Sequence, residues 1–400
     1  MLFKISKESP LVPICLMVLL VVCWMEVDLY APSFPLLRQY FGTTQEAIQW
    51  TLSVNFIGFF VSSLFCGPLS DSYGRRPVLI WGSLIFVFGS LLCIAAPTIE
   101  ILLAGRLIQG LGVSAPITVC VAVIADIYTG ERQVKMMSFV NSAITIVMAM
   151  APLIGAYLSD AFGWRANFMF IFATAILGTL LISFILPETH AADRRQRFSL
   201  RQLALNYTTL LRSRVFMATV IGSIFLTTPY FVFIAVIPFL FMEQLQLPLS
   251  QYVYYQGSVV SLFAFLSLAI PTMIGKFDAD KLNLRSIGLS LIGITVLCMH
   301  GMFFADHALT ITILMCIYVA GLVWPCSSLF SASLELFPDL RGSATALFMS
   351  LRMLVMSLAI SLSGRVYNET FMPVGILNFV LVAMAIPLIL WAIRLRQEQS

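Results

Sequence analysis

Charge is what this chain has least of. Across its 400 residues only 10% are Asp, Glu, Lys or Arg and 60% are hydrophobic, with a mean hydropathy of +0.96. Soluble domains carry about 25% charged residues, so the composition excludes an assembly of water-soluble domains. Histidine is also scarce, at three residues. There is no paired His-Glu metal motif, no nucleophile elbow and no Gly-rich cofactor loop, which argues against an enzyme, a metal site or a bound cofactor. A Walker pattern is missing too, which argues against a pump driven by ATP. The eight cysteines include no Cys-x-x-Cys pair and all fall in apolar segments. They read as packing residues rather than as disulfides or metal ligands.

What is abundant is apolar sequence of membrane-spanning length. A helix crosses a bilayer core of about 30 Å with about 20 residues. Twelve such runs follow one another, at about 10–32, 46–68, 77–96, 100–124, 138–159, 167–186, 215–240, 252–275, 286–305, 308–330, 343–366 and 372–393. They are continuous rather than alternating, which predicts helices and not a barrel. The first run follows Lys4 and Lys7 as a secretion signal would. It has no small-x-small cleavage site and runs straight into Glu26, Asp28 and Tyr30, so it reads as a retained first span.

The net charge of +4 matters less than its placement. Basic residues gather at the termini and in every second loop: Lys4 and Lys7, Arg75 and Arg76, Arg132 and Lys135, Arg194 through Arg214, Lys276 with Lys281 and Arg285, Arg341, and Arg394 with Arg396. The opposite loops hold Arg38, Arg165 and Arg365. By the positive-inside rule both termini are cytoplasmic, which requires an even number of spans. Read this way, the basic residues are topology signals and not a nucleic-acid site.

The sharpest composition break is 187–214, which divides the chain into an N-terminal six-helix bundle (1–186), a cytoplasmic linker and a C-terminal six-helix bundle (215–400). In the linker, Leu200, Leu203, Leu205, Leu210 and Leu211 alternate with Arg201, Arg212 and Arg214, the pattern of a helix lying on a membrane surface or of a plain solvated connection.

The loop Gly67-Pro68-Leu69-Ser70-Asp71-Ser72-Tyr73-Gly74-Arg75-Arg76-Pro77, between the second and third spans, has a rarer spacing than a bare Arg-Arg turn. It resembles the signature loop of the major facilitator superfamily of transporters. Gly275-Lys276-Phe277-Asp278-Ala279-Asp280-Lys281 stands at the corresponding place in the second half as a degenerate echo, without the Gly-Arg-Arg. Asp28-Leu29-Tyr30-Ala31-Pro32-Ser33-Phe34-Pro35 and Arg106-Leu107-Ile108-Gln109-Gly110-Leu111-Gly112 are similar to motifs of the twelve-helix drug:proton antiporters. Ala151-Pro152-Leu153-Ile154-Gly155 resembles their Gly-Pro-x2-Gly motif, with Ala151 in place of the first glycine. Asp126-Ile127-Tyr128, Trp164-Arg165 and Pro187-Glu188-Thr189 resemble the bicyclomycin- and chloramphenicol-resistance branch. The resemblance implies two six-helix halves with substrate and ion sites between them near the midplane.

Charged side chains at bilayer depth face a cavity or a partner, since exposing one to lipid costs at least about 2.5–3.5 kcal/mol. Glu26 and Asp28 near the end of the first span, Arg106 in the fourth and Arg352 in the eleventh are the residues so placed. An Asp28–Arg106 contact is the expected proton-coupling pair, because a carboxylate moved between a cation and solvent changes its proton affinity; the alternative is a static ion pair. Glu26 lies on another face of the helix and is a second proton site or an interfacial acid. Trp24, one turn before Asp28, joins Tyr30, Asn55, Tyr230, Tyr255, Gln256, Trp324 and Arg352 as expected cavity residues. Arg106 and Arg352 keep anionic substrates open. Gly67, Asp71, Gly74, Arg75, Arg76 and Asp126 form the expected gate, with Asp71 capping the eleventh helix near Arg341-Gly342-Ser343 and Arg75 pairing with Asp126. Pro152 and Gly155 are the expected hinge, and Gly110 and Gly112 close-packing residues. His300, alone in the ninth span, reads as packing.

The resemblance implies proton-coupled efflux of small lipophilic or amphipathic compounds across the bacterial inner membrane. The proton gradient would supply energy, with no cofactor, and a monomer would be the working unit. Alternatives are a dedicated exporter or proton-coupled importer of one metabolite or siderophore, and a lipid flippase.

Overall fold

The computed structural model describes residues 11–191, 193, 195, 197–273 and 278–397. Lys4, Lys7, Arg194 and Gly275-Lys276-Phe277 lie outside the described residues. Everything regular among the described residues is helical, as a bilayer demands, because a helix satisfies its own backbone polar groups. The helices are α1 (Leu11–Tyr30), α2 (Phe34–Phe41), α3 (Gln45–Tyr73), α4 (Arg75–Ala95), α5 (Ile99–Ile127), α6 (Gly130–Phe162), α7 (Arg165–Ile185), α8 (Leu200–Arg212), α9 (Arg214–Pro238), α10 (Leu249–Met273), α11 (Ala279–Phe303), α12 (Ala308–Glu335), α13 (Arg341–Val366) and α14 (Met372–Gln397). Twelve of the segments are long and apolar enough to cross a membrane, six before α8 and six after it. The first continues past Tyr30 through a short 3-10 turn into α2, and α9 continues through a π-helical turn, Phe239–Gln244.

Polar side chains start the helices where the apolar runs begin. Thr44 accepts from the Ala47 amide (3.2 Å) and Ser213 from that of Phe216 (3.3 Å). Asp278 accepts from the amides of Asp280 and Lys281 at 3.0 and 3.2 Å. These backbone bonds hold its carboxyl below the ordinary range.

Within the first half α4 packs on α5 and α7, and α1 on α6 and α7. In the second, α9 packs on α14, and α11 on α12 and α14. Two seams join the halves, α3 with α13 and α6 with α10. Close backbone approach fixes this packing. A Cβ on Gly110 would lie 2.0 Å from the Asn55 carbonyl oxygen, so only glycine lets α5 touch α3 there.

The linker helix α8 forms over the leucine-rich stretch. It buries Leu203 and Leu210 and leaves Leu200, Leu205 and Leu211 exposed. It rests on α9 and α13, and Tyr207 donates to the Leu64 carbonyl of α3 at 2.6 Å. It therefore ties the second half to the first. The end of the bundle carrying α8, Arg75, Arg76 and Arg341 is called the basic end below; Arg38, Glu46, Glu243 and Arg365 mark the opposite end.

Candidate functional site

The polar centre of the first half is built around Arg106 of α5, which is fully buried. Its Nη1 donates to Glu26 Oε2 at 2.8 Å and to Gln109 Oε1, its Nε donates to the Thr51 carbonyl at 3.3 Å, and the guanidinium lies 4.5 Å above the Tyr30 ring. The network continues outward. Gln109 Nε2 donates to Ser90 Oγ at 2.8 Å, Asn55 Nδ2 to the Arg106 carbonyl at 3.2 Å, and the Tyr30 hydroxyl pairs with Thr51 Oγ1 at 2.9 Å. Glu26 is 2% exposed, so this is a dry ion pair and not a surface one. The expected Asp28–Arg106 contact is therefore corrected to Glu26–Arg106. Two residues along a helix are turned by about 200°, and α1 is rotated so that Glu26 meets α5 while Asp28 does not.

Asp28 is buried as deeply, at 3% exposure, yet its Oδ1 has no hydrogen-bond partner. Two phenols of the other half, Tyr230 on α9 and Tyr252 on α10, lie within range of its charge. Close behind it, α6 presses on α1 at Gly155, where a Cβ would fall 1.7 Å from the Leu29 carbonyl oxygen. Gly155, three residues after Pro152, thus brings α6 to the residue beside Asp28.

A cavity of about 440 Å³ lies between the halves. It is lined by Trp24 of α1, by α6 from Ser138 to Met148, and by parts of α9, α10, α12 and α13. On α6 these residues belong to the two-thirds of the helix nearer the basic end. Among the eight expected cavity residues, Trp24, Tyr230 and Arg352 line it. The others are placed elsewhere. Tyr30 and Asn55 belong to the Arg106 network, Tyr255 packs edge-on against Phe241 at 5.6 Å, and Gln256 accepts from the Tyr252 hydroxyl. Trp324 is buried in α12 with its Nε1 unpartnered. Sequence reasoning missed Ser138, Asn141, Ser142 and Thr145, whose spacing puts a polar stripe on one face of α6.

At the basic end Arg75 does what its position predicts, with Nε 3.2 Å from Asp126 Oδ2. Asp71 departs from expectation. Its Oδ1 accepts from Arg75 Nη1 at 2.5 Å, one helical turn away, instead of capping α13, whose start has no side-chain cap. Gly74, at φ +102°, turns the chain so that α4 can begin at Arg75, while Gly67 lies inside α3 with no atom crowding its Cβ position. Arg76 donates to the Ser183 carbonyl at 2.5 Å. Glu188, which sequence reasoning assigned no role, accepts from the Arg75 and Arg76 amides at 3.0 and 3.3 Å, and Thr189 donates to Asp126 at 3.1 Å. A partner 113 residues away leaves no local signal. The contacts of Asp71, Arg75, Arg76 and Asp126 stay within the first half and the start of the linker.

The contacts that cross between halves gather in the middle and at the opposite end. Arg38 pairs with Glu243, and Arg365 Nε with Glu46 Oε1 at 3.0 Å. Gln49 Nε2 donates to the Ala235 carbonyl at 3.3 Å and accepts from Ser363 at 3.2 Å. Along α3 and α13, Ser53 and Ser357 exchange hydroxyl-to-carbonyl bonds of 3.1 and 2.9 Å, and Ser63 pairs with Ser350 at 2.5 Å. His300 stacks on Phe304 at 5.6 Å, as a packing residue would.

Comparison with known proteins agrees with this architecture. The chain is 26% identical to a bicyclomycin resistance protein homolog of Haemophilus influenzae over 354 residues, 87% of each chain. It is 30% identical to the multidrug resistance protein MdtL of Salmonella heidelberg over 278 residues, 68% of this chain and 69% of that one. Among solved structures, the xylose transporter XylE from E. coli in a partially occluded inward-open conformation superposes with a TM-score of 0.74 at 16% identity, covering 96% of this chain and 97% of that one. The model of the Major Facilitator Superfamily matches residues 16–360, and the chain belongs to that superfamily.

Proposed function

We propose that this chain is a drug:proton antiporter, exporting small lipophilic or amphipathic compounds from a bacterial cytoplasm at the expense of the proton gradient. It would work as a monomer in the inner membrane, with both termini and the basic end in the cytoplasm and with 1–186 and 215–400 as the rocking units. The observation that carries the reading is the unequal fate of two acids on one helix. Glu26 is neutralised by Arg106, whereas Asp28 is equally buried and keeps an unpartnered oxygen beside the second half. A paired acid is a structural element; an unpaired buried one is the group whose protonation responds when the halves move. The resistance names of the relatives support export rather than uptake.

The geometry gives the cycle its start. Cross-half ion pairs at the opposite end and a cavity toward the basic end support a cycle that begins from a loading conformation. Substrate enters from the cytoplasm, the halves rock about the α3–α13 seam, and protonation of Asp28 from outside accompanies release. Each ligand needs only a different affinity for the two conformations. The test is accumulation of neutral, cationic and anionic amphipathic drugs in cells producing the protein, with and without a protonophore. Lower accumulation that the protonophore abolishes is expected; raised accumulation, or export indifferent to the protonophore, overturns the reading.

A further inference from the structure

We infer that the central cavity selects organic anions: amphipathic molecules with an aromatic body and one carboxylate or comparable anionic group, held by Arg352. The inference narrows the substrate class of the export reading above and rests on that reading for direction only. Arg352 is the one charged side chain among the described residues that line the cavity. It sits near the middle of the 26-residue α13, at a depth where an uncompensated charge is costly. Arg352 is half-buried, whereas the buried cations among the described residues are answered by protein carboxylates. Arg106 has Glu26, and Arg75 has Asp71 and Asp126. No described carboxylate lies within ion-pair distance of Arg352, and its buried Nε has no partner. Glu26 and Asp28 are both outside the lining.

The walls fit the rest of such a molecule. Phe231, 5.8 Å from the guanidinium, adjoins Tyr230, and Tyr230 stacks on Phe263 at 5.4 Å, so a flat apolar body has an aromatic surface beside the cation. Ser138 and Ser142 of α6 add hydroxyl groups to the same lining. A guanidinium takes a carboxylate in two parallel N–H···O bonds, and in a cavity with no competing acid that contact decides which ligand charge is accepted. About 440 Å³ is within the range of sites for drug-sized ligands. Charge selection and proton exchange thus fall on different halves, the guanidinium on α13 and the Asp28 carboxylate on α1.

The test uses the full chain in phosphatidylcholine nanodiscs and measures equilibrium binding of three matched probes: naphthylacetate, naphthylacetamide and naphthylethylamine. The carboxylate is expected to bind at least about tenfold more tightly than the amide, with the ammonium weakest. Arg352→Gln should remove that preference by weakening the carboxylate alone, and Arg352→Lys should keep it in part. An amide or ammonium that binds as well as the carboxylate, no binding by any probe, or an Arg352→Gln variant that weakens all three alike would overturn the inference. If Arg352→Gln fails to fold, Arg352→Lys carries the test, since loss of charge preference with the cation present overturns it equally. Displacement of naphthylacetate by phosphatidylglycerol added to the discs would assign the guanidinium to lipid and overturn the small-molecule class. Protonophore-sensitive export by the wild type is read separately, so either idea can fail alone.

Discussion

Removing the charge of Glu26 should unfold this protein more readily than removing that of Asp28, although the two acids are two residues apart on α1. Glu26→Gln leaves Arg106 with no carboxylate in a site where neither side chain reaches solvent. Breaking one side of a buried pair costs about 3–5 kcal/mol. The remaining neutral acceptors, Gln109 Oε1 and the Thr51 carbonyl, recover part of that, which places the expected loss near the lower bound, about 3 kcal/mol. Asp28→Asn breaks no ion pair and should cost under about 1 kcal/mol. The reporter is already in the chain, because all eight cysteines are free and none is exposed in the fold. A thiol-reactive fluorophore therefore follows heating of the detergent-solubilised protein directly. The double variant Glu26→Leu/Arg106→Met, which removes both charges together, should recover most of the loss. A Glu26→Gln variant that melts with the wild type, or a double variant as unstable as the single, would refute the view that this pair is a structural unit.

The other predictions concern contacts named above. Gly155→Ala places a methyl 1.7 Å from the Leu29 carbonyl oxygen, so α1 and α6 must separate, and transport should fall by more than tenfold with the chain still inserted; activity near wild type would show that the approach tolerates relaxation. Glu188→Gln removes the carboxylate that caps α4 and should lower stability by about 0.5–2 kcal/mol in the same melting assay, and no change would deny it that role. Arg38→Glu should increase labelling of a cysteine introduced at the opposite end, and adding Glu243→Arg should reverse this. The effect should be modest, about 0.2–1 kcal/mol, because the Arg38 side chain is 41% exposed.

The fold was legible because burial in lipid leaves a strong one-dimensional trace: continuous apolar runs separated by charged turns. The Arg75–Asp126 pair was legible because both residues sit in short motifs at helix ends on the same side of the membrane. Arg106's partner was not. Glu26 and Asp28 have the same charge and nearly the same depth, and what separates them is the rotation of α1, fixed by contacts such as Gly155 with Leu29 that no local pattern records. The same rotation problem scattered the cavity forecast: Trp24, Tyr230 and Arg352 face the space, while Tyr30 and Asn55 turn into the Arg106 network. The stripe of Ser138, Asn141, Ser142 and Thr145 on α6 was legible, since its i, i+3, i+4, i+7 spacing marks one face of a helix in an otherwise apolar segment. Asp71 pairs with Arg75, four residues away and one turn along the chain, a local partner that competes with any helix start it could cap.

The central claim is that Asp28 exchanges the proton that drives export. It is tested most directly in proteoliposomes holding wild-type or Asp28→Asn protein, by comparing accumulation driven by a pH gradient with substrate exchange at equal pH on both sides. Asp28→Asn should abolish gradient-driven accumulation and leave exchange within about threefold of wild type, since the cavity and the Arg106 network remain intact. Gradient-driven accumulation that persists in Asp28→Asn would contradict the claim and pass the proton to Glu26.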